Sequence, residues 1–141
     1  MKVSDVLQVK GSHVYSINSQ ASVYEAIKEM AEKNIGALIV IDNEELTGIL
    51  SERDYARKIV LKGKSSHEIL VKEIMTKHVK TVTPDDTIEH CMELMSDNHF
   101  RHLPILKDNG IIGMISIGDV VNAIIESQKE TIAQLHQYIA Q

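Results

Sequence analysis

The chain contains an internal repeat at an offset of 65 residues, and this duplication limits its possible folds more than any other feature. Residues 48–54, Gly-Ile-Leu-Ser-Glu-Arg-Asp, recur with changes as residues 113–119, Gly-Met-Ile-Ser-Ile-Gly-Asp. Apolar positions of residues 14–60 align without a gap with apolar positions of residues 79–125. Because a unit of about 50 residues buries little core by itself, we expect the two units to pack against each other and fold as one module.

Hydrophobic periodicity predicts the same order of elements, β-α-β-β-α, in both units. The first unit is expected to contain a strand at 13–17, a helix from Ser22 to about Asn34, strands at 37–41 and 46–50, and a helix from Ser51 to about Leu61. The second is expected to contain a strand at 79–83, a helix after Pro84, strands at 102–106 and 111–115 joined at Asn109-Gly110, and a helix from Ser116. A helical turn is expected at residues 4–8, and the sequence of residues 3–7 is echoed at residues 71–75.

These elements predict an α+β fold in which two β-α-β-β-α repeats pack as a pseudo-two-fold pair, followed by a long C-terminal helix. The domains we expect are residues 1–68 for the first repeat, 69–127 for the second and 128–141 for a C-terminal helical extension. In that last helix an apolar stripe continues through Ile132, Leu135 and Ile139. The helix either packs on its own module or forms a homodimer interface. We favour the homodimer, because the stripe outlasts the repeat that would supply its core.

Composition excludes several classes of function. The net charge of −5 and the absence of a long basic run argue against a nucleic-acid partner. No apolar run reaches the roughly 20 residues that span a membrane, and the N-terminus lacks a signal-peptide pattern, so we expect a cytoplasmic protein with no membrane partner. Cys91 is the only cysteine, which rules out an internal disulfide. It lies on an apolar helix face, where a packed core thiol is expected rather than a nucleophile.

The Ser-x-x-Asp of each repeat has two interpretations. Ser51 and Asp54 have the spacing of a helix cap, which is a structural role. A helix N-terminus also favours phosphate, an aspartate accepts hydrogen bonds from a ribose diol, and Arg53 offers a planar fork for phosphate oxygens. The recurrence at Ser116 and Asp119 favours two nucleotide sites. They should differ, because Gly118 stands where the first repeat has Arg53.

Arg101 and His102 enter a strand that is otherwise apolar. They mark either a solvated strand end or an anion-binding group at the seam between the units. We expect no metal at His99-x-x-His102, since no supporting acidic or thiol ligands accompany the pair. We also expect no enzyme and no catalytic residue, because the sequence shows no base paired with a nucleophile, no metal cluster and no P-loop.

Taken together, these motifs resemble a tandem CBS-domain pair, or Bateman module, and in particular the small stand-alone CBS-domain proteins. The resemblance covers about residues 3–127 and includes the lead-in at 74–76, Ile-Met-Thr, and the strand at 101–104, Arg-His-Leu-Pro. It implies binding of an adenosine-containing ligand (AMP, ADP, ATP, sometimes NAD or S-adenosylmethionine) in clefts between the units. It also implies a regulatory, energy-sensing module that acts on an unidentified protein. The alternative is a structural dimerisation or interaction module that binds no ligand.

The resemblance also assigns roles to residues. Asp54 and Asp119 would hold ribose hydroxyls, with Ser51 and Ser116 beside the ribose and phosphate. Arg101 and His102 would reach the phosphate of the ligand held by Asp54. Residues 79–81 would cover its adenine, as residues 14–16 would in the other cleft. The nucleotide-binding residues are thus expected to be Val14, Tyr15, Ser16, Ser51, Arg53, Asp54, Val79, Lys80, Thr81, Arg101, His102, Ser116 and Asp119.

The two clefts are not expected to be equivalent. Gly36 and Ala37 stand where the second repeat has Arg101 and His102. The cleft at Asp119 would therefore lack the basic pair that holds phosphate. This difference favours the Asp54 cleft as the main site.

Overall fold

The computed structural model describes residues 1–140, whose helices and two small sheets confirm the predicted α+β class. The chain divides into two compact units. Residues 14–79 form the first-repeat unit, and residues 1–13 with the chain from Lys80 onward form the second-repeat unit. The assignment of residues 1–68, 69–127 and 128–141 to domains follows the duplicated sequence and stays a prediction.

The first-repeat unit consists of a three-stranded sheet with helices packed against it. Its sheet has the order β1-β2-β3, with β1 parallel to β2 and β2 antiparallel to β3. The helix α2 begins after Ser22, whose Oγ accepts the backbone N–H of Glu25, and ends at Asn34 in the left-handed conformation, as predicted. The elements are β1 (Ser16–Ile17), α2 (Val23–Lys33), β2 (Ala37–Asp42), β3 (Glu45–Ser51), α3 (Glu52–Tyr55), a π-helical turn (Ala56–Val60) and α4 (Val71–Ile74).

The second-repeat unit repeats this plan around a two-stranded antiparallel sheet. Thr87 caps the N-terminus of its first long helix by accepting the backbone N–H of His90. The long C-terminal helix is present, as predicted. The elements are α1 (Val3–Lys10), α5 (Ile88–Asn98), β4 (His102–Lys107), β5 (Gly110–Ser116) and α6 (Ile117–Ala140).

Each lead-in helix packs on the repeat that it does not precede. The backbone N–H of Val3 donates to the carbonyl of Asp86, and that of Val71 donates to the carbonyl of Ala21. Asp86 and Ala21 are equivalent positions of the two repeats, so the sequence echo between residues 3–7 and 71–75 corresponds to one shared structural role. The start of the chain therefore belongs to the second-repeat unit.

The strand that opens each repeat is shorter than predicted. Of residues 13–17, only Ser16 and Ile17 pair as β1. Of residues 79–83, only Val82 pairs, in an isolated parallel bridge to Ile105. Pro84 restricts the backbone just beyond Val82 and cannot donate a ladder hydrogen bond, which is consistent with pairing that ends there.

The hairpin turn of the second repeat lies one residue earlier than predicted. Lys107 pairs with Gly110, so the two turn residues are Asp108 and Asn109, both with positive φ. The first repeat has the same turn at Asn43 and Glu44, also with positive φ. Two consecutive positive φ values are typical of the primed turns that match the twist of paired strands.

Each unit has its own aliphatic core. In the first-repeat unit, buried residues of α2, β2 and β3 pack with Val71 and Ile74 of α4. In the second-repeat unit, the corresponding core includes Val3 of α1 and Cys91. Cys91 is fully buried, which confirms the prediction of a core thiol, and burial raises the pKa of that thiol to about 11. A thiol with so high a pKa carries little nucleophilic thiolate.

The helix α6 extends beyond the core of its unit. Val120 and Ala123 are buried, whereas every residue described from Gln128 onward is exposed. Among these, Ile132 is 54% exposed and Leu135 is 56% exposed. The apolar stripe predicted from the sequence therefore lies open to solvent in its second half.

Candidate functional site

The first Ser-x-x-Asp motif forms a reciprocal helix cap where β3 meets α3. The hydroxyl of Ser51 accepts the backbone N–H of Asp54 at 3.2 Å. The carboxylate Oδ2 of Asp54 accepts the backbone N–H of Ser51 at 3.0 Å and its hydroxyl at 3.1 Å. The capping interpretation is thus confirmed. The cap holds the Asp54 carboxylate in one orientation at the N-terminus of α3.

Lys58 is a third member of the Ser51–Asp54 site and was not among the residues predicted from the sequence. Its ammonium lies 3.1 Å from Oδ1 of Asp54 and donates to the carbonyl of Ile74 at 2.8 Å. The predicted regular helix from Ser51 to Leu61 instead widens into the π-helical turn, where Leu61 N–H donates to the carbonyl of Ala56, five residues back. Such turns are frequent at functional sites. The four-residue spacing of Asp54 and Lys58 was the available signal.

The second motif has the same cap where β5 meets α6. The hydroxyl of Ser116 accepts the backbone N–H of Asp119 at 3.1 Å, and Oδ2 of Asp119 accepts the backbone N–H of Ser116 at 2.8 Å. Burial disfavours the charged carboxylate, but the hydrogen bonds from Lys10 and Ser116 outweigh it and lower the pKa of Asp119. Asp119 is therefore ionised at neutral pH and able to accept hydrogen bonds.

Lys10, at the end of α1, makes the ion pair of this second cluster. Its ammonium lies 2.6 Å from Oδ2 of Asp119 and donates to the carbonyl of Met114 at 2.7 Å. The sequence contains no signal for this ion pair, because Lys10 and Asp119 are 109 residues apart and belong to no common motif. Only the packing of α1 on the second repeat brings them together.

Each motif is anchored to the start of the neighbouring strand in its own unit. The backbone N–H of Ile117 donates to the carbonyl of Arg101 at 2.8 Å, as Glu52 does to Gly36 at 3.0 Å. His102 pairs with Ser116 across the β4–β5 ladder. The structure thus places the Arg101-His102 pair next to the Asp119 motif within the second-repeat unit. Their predicted contact with a ligand held by Asp54 stays a prediction.

His102 is neutral at physiological pH. Burial lowers its pKa to about 4, and the nearby cations Lys10 and Arg101 act in the same direction, against the effect of Asp119. Arg101 is exposed at the strand end, whereas His102 is half-buried. Arg101 therefore matches the solvated strand end that was one interpretation of this pair, and His102 does not.

The other predicted site residues are divided between the two units. Val14, Tyr15, Ser16, Arg53 and Val79 belong to the first-repeat unit. Tyr15 packs against its core, and its carbonyl accepts the backbone N–H of Ile39. Lys80 and Thr81 belong to the second-repeat unit. Roles for residues 14–16 and 79–81 in covering an adenine stay predictions.

Two further findings concern metals and membranes. Within residues 1–140, no cluster of three or more His, Cys, Asp or Glu side chains is placed to hold a metal ion. None of the helices described over that range is both long enough and apolar enough to cross a bilayer.

A duplicated β-α-β-β-α unit with capped Ser-x-x-Asp motifs defines a class of tandem-repeat α+β proteins. The chain belongs to the CBS-domain family, whose model matches residues 3–61 and again residues 71–126. This confirms the resemblance to a tandem CBS-domain pair.

Three similar proteins illustrate the relationship. A mitochondrial CBS-domain-containing protein of Arabidopsis thaliana, CBSX3, is 42% identical over 97% of this chain and 71% of its own length. The structure of a putative signal-transduction protein with CBS domains from Burkholderia ambifaria is 45% identical, with a TM-score of 0.86 over 91% of this chain and 96% of that chain. The CBS domain pair of protein MJ0100, solved with 5′-methylthioadenosine and S-adenosylmethionine, is 25% identical, with a TM-score of 0.78 over 90% of this chain and 98% of that chain. Because the Arabidopsis relative is mitochondrial, a cytoplasmic location stays a prediction for this chain.

Proposed function

We propose that this protein is a non-catalytic sensor that binds an adenosine-containing small molecule and passes its occupancy to a separate protein. The ligands we propose are AMP, ADP, ATP or NAD, with ribose hydroxyls held by Asp54, Asp119 or both. The support from relatives is that a CBS domain pair of the same fold was solved with two adenosine-containing ligands.

The observation that carries the proposal is the similar setting of the two carboxylates. Asp54 and Asp119 are each fixed by a backbone N–H of the preceding serine, at 3.0 and 2.8 Å, and each faces a lysine. A helix cap alone needs no lysine at the carboxylate. A carboxylate that is held in one orientation and only partly buried is suited to accept hydrogen bonds from a ribose diol.

Calorimetry with AMP, ATP, NAD and S-adenosylmethionine tests the proposal. We expect saturable binding of at least one ligand to the wild-type protein and its loss when Asp54→Ala and Asp119→Ala are combined. Asp42→Ala is a matched control. Asp42 is the last residue of β2, whereas Ala37 at the start of that strand pairs with Ser51. The Asp42 carboxylate accepts hydrogen bonds from Ser19 and Thr47. No binding at millimolar ligand, or undiminished binding to the double variant, would reject the proposal.

We also propose that the protein is a homodimer paired through α6. Isoleucine and leucine at positions 132, 135 and 139 follow helical spacing and are 54%, 56% and 78% exposed. A helix of 24 residues is about 36 Å long, and its exposed half carries this stripe beyond the core of its unit. A second copy of the same stripe is self-complementary, as a two-fold interface requires.

A ligand-free interaction module is the alternative that one observation favours. Both carboxylates already have hydrogen-bonded partners within their own units, so each motif also has a complete structural role. The calorimetric comparison separates the two functions. On the alternative, the double alanine variant loses thermal stability, and no adenosine compound raises the melting temperature of the wild-type protein.

A further inference from the structure

The ion pair between Lys10 and Asp119 has a consequence for ligand choice. Lys10 is the last residue of α1, and its ammonium bonds to both the carboxylate of Asp119 and the carbonyl of Met114. We propose that Lys10 is a phosphate-binding residue of the Asp119 site, so that this site prefers nucleotides to nucleosides. The inference rests on the proposed function, since it requires that Asp119 holds a ribose.

The geometry leaves Lys10 able to take a further acceptor. An ammonium has three N–H donors, and two of them are used by Met114 and Asp119. The Lys10 side chain is 41% exposed, so the third donor is within reach of an incoming ligand. The bond to the Met114 carbonyl also fixes the position of the ammonium on β5 independently of the charge on Asp119.

The carboxylate can keep Lys10 while it binds a ribose. The bonds from Lys10 and from the backbone N–H of Ser116 both end on Oδ2 of Asp119. A ribose hydroxyl can therefore approach Oδ1 without displacing the lysine. The Asp119 side chain is 22% exposed, so part of it is accessible to a ligand. The third donor of the ammonium is then available to a phosphate on the bound sugar.

A comparison of the repeats explains why the cation comes from α1. The first repeat has Lys58 on the helix that follows its motif, and the equivalent residue of the second repeat is Ala123, which is buried. Lys10 reaches the same carboxylate from a different element. It therefore supplies beside Asp119 the positive charge that Ala123 cannot.

The neighbouring charges favour a phosphate. His102 contributes no charge at neutral pH. Its burial, and to a smaller extent the positive charge of Lys10, lower its pKa to about 4. Lys10 lies 2.6 Å from Oδ2 of Asp119, and the carbonyl of Arg101 accepts the backbone N–H of Ile117, two residues before Asp119. These two cationic residues beside the motif favour an anionic ligand.

Affinities for adenosine and ADP, measured by calorimetry in an Asp54→Ala background, test the inference, because binding then reports on Asp119. A charged hydrogen bond is worth about 1.5–3 kcal/mol, so we expect Lys10→Met to weaken ADP binding about tenfold or more. Adenosine binding should change less than about threefold. Lys10→Arg should restore most of the ADP affinity. Lys107→Met is the control, because it removes the same charge at a distance from the site. Lys107 lies at the opposite end of β4 from His102, about 17 Å away along the strand.

The outcomes distinguish this inference from the function on which it rests. If the wild-type protein binds neither ligand, the proposed function fails and this inference with it. If the wild type binds but the Asp54→Ala background does not, Asp119 is not a site and only the inference is overturned. It is also overturned if Lys10→Met changes both affinities equally or strengthens them, as expected for a lysine that competes with the ligand. Circular dichroism on each variant checks that it is folded.

Discussion

The backbone N–H of Val71 donates to the carbonyl of Ala21 at 2.8 Å, and this bond attaches the lead-in of the second repeat to the first. Val3 makes the equivalent bond to Asp86, at 2.9 Å. Both valines are fully buried. Each lead-in helix is therefore part of the core of the unit on which it packs. The helix α1 also positions Lys10 beside Asp119.

The first prediction concerns α1. Val3→Ala should lower the free energy of unfolding by about 2 kcal/mol, because it removes two buried methyl groups and leaves a cavity. Val9→Ala is the matched control on the same helix, since Val9 is 92% exposed, and should change stability by less than about 0.5 kcal/mol. Urea denaturation of the full chain measures both. Equal effects would show that α1 does not pack as described.

The second prediction concerns equivalent glycines in the two repeats. A Cβ at Gly48 would lie 2.6 Å from the carbonyl oxygen of Thr76, which is backbone and cannot move cheaply. A Cβ at Gly113 would first meet the Cδ2 of Leu7 at 3.1 Å, and a leucine side chain can adjust. We therefore expect Gly48→Ala to cost about 1–3 kcal/mol of stability and Gly113→Ala clearly less. The melting temperatures of the two variants give the comparison, and the reverse order would contradict it.

The third prediction concerns pH. His102 has a pKa lowered to about 4 in the folded chain, against 6.5 when unfolded. The unfolded state therefore binds more protons between these values, so stability is complete above pH 6.5 and falls as the pH is lowered toward 4. The loss between pH 7 and pH 5 should be about 2 kcal/mol. Asp119, whose lowered pKa lies below the 3.8 of a free aspartate, acts below this range.

His102→Gln provides the control for the pH dependence, because glutamine does not titrate. Chemical denaturation at pH 5, 6 and 7 should show a much flatter pH dependence for this variant than for the wild type. An unchanged slope would assign the pH dependence to another group.

The fourth prediction concerns α6. Ile132→Glu combined with Leu135→Glu should convert the dimer to a monomer, because the charges would be buried at the proposed interface. Gln137→Glu lies on the opposite face of the helix and should leave the dimer intact. A chain ending at residue 127 should also be monomeric. Sedimentation velocity measures all three, and an unchanged dimer in the truncated chain would remove α6 from the interface.

The sequence predicted the elements whose signals are local. Ser22 and Thr87 mark helix starts by capping, and the hydrophobic runs at β2, β3, β4 and β5 mark strands. The hairpin turn was displaced by one residue, because Asp108 and Asn109 tolerate positive φ as Gly110 does and only strand register selects between them. Local rules therefore located the elements but not every boundary.

Features that depend on tertiary contacts were not predictable in this way. The association of α1 with the second repeat rests on bonds between residues more than 80 positions apart, such as Val3 and Asp86. The position of Lys10 beside Asp119 depends on that association, and Lys10 is not part of any sequence motif. The π-helical turn near Asp54 also has no signal in the hydrophobic pattern of residues 56–60. The two Ser-x-x-Asp motifs, by contrast, were found because duplication made them visible.

The most direct test of the proposed function is electron density from crystals grown with AMP or ADP at concentrations that saturate the protein in calorimetry. We predict a nucleotide whose ribose hydroxyls lie within hydrogen-bond distance of the carboxylate of Asp54 or Asp119. A nucleotide bound away from both aspartates, or none in the crystal at saturating concentration, would contradict that account.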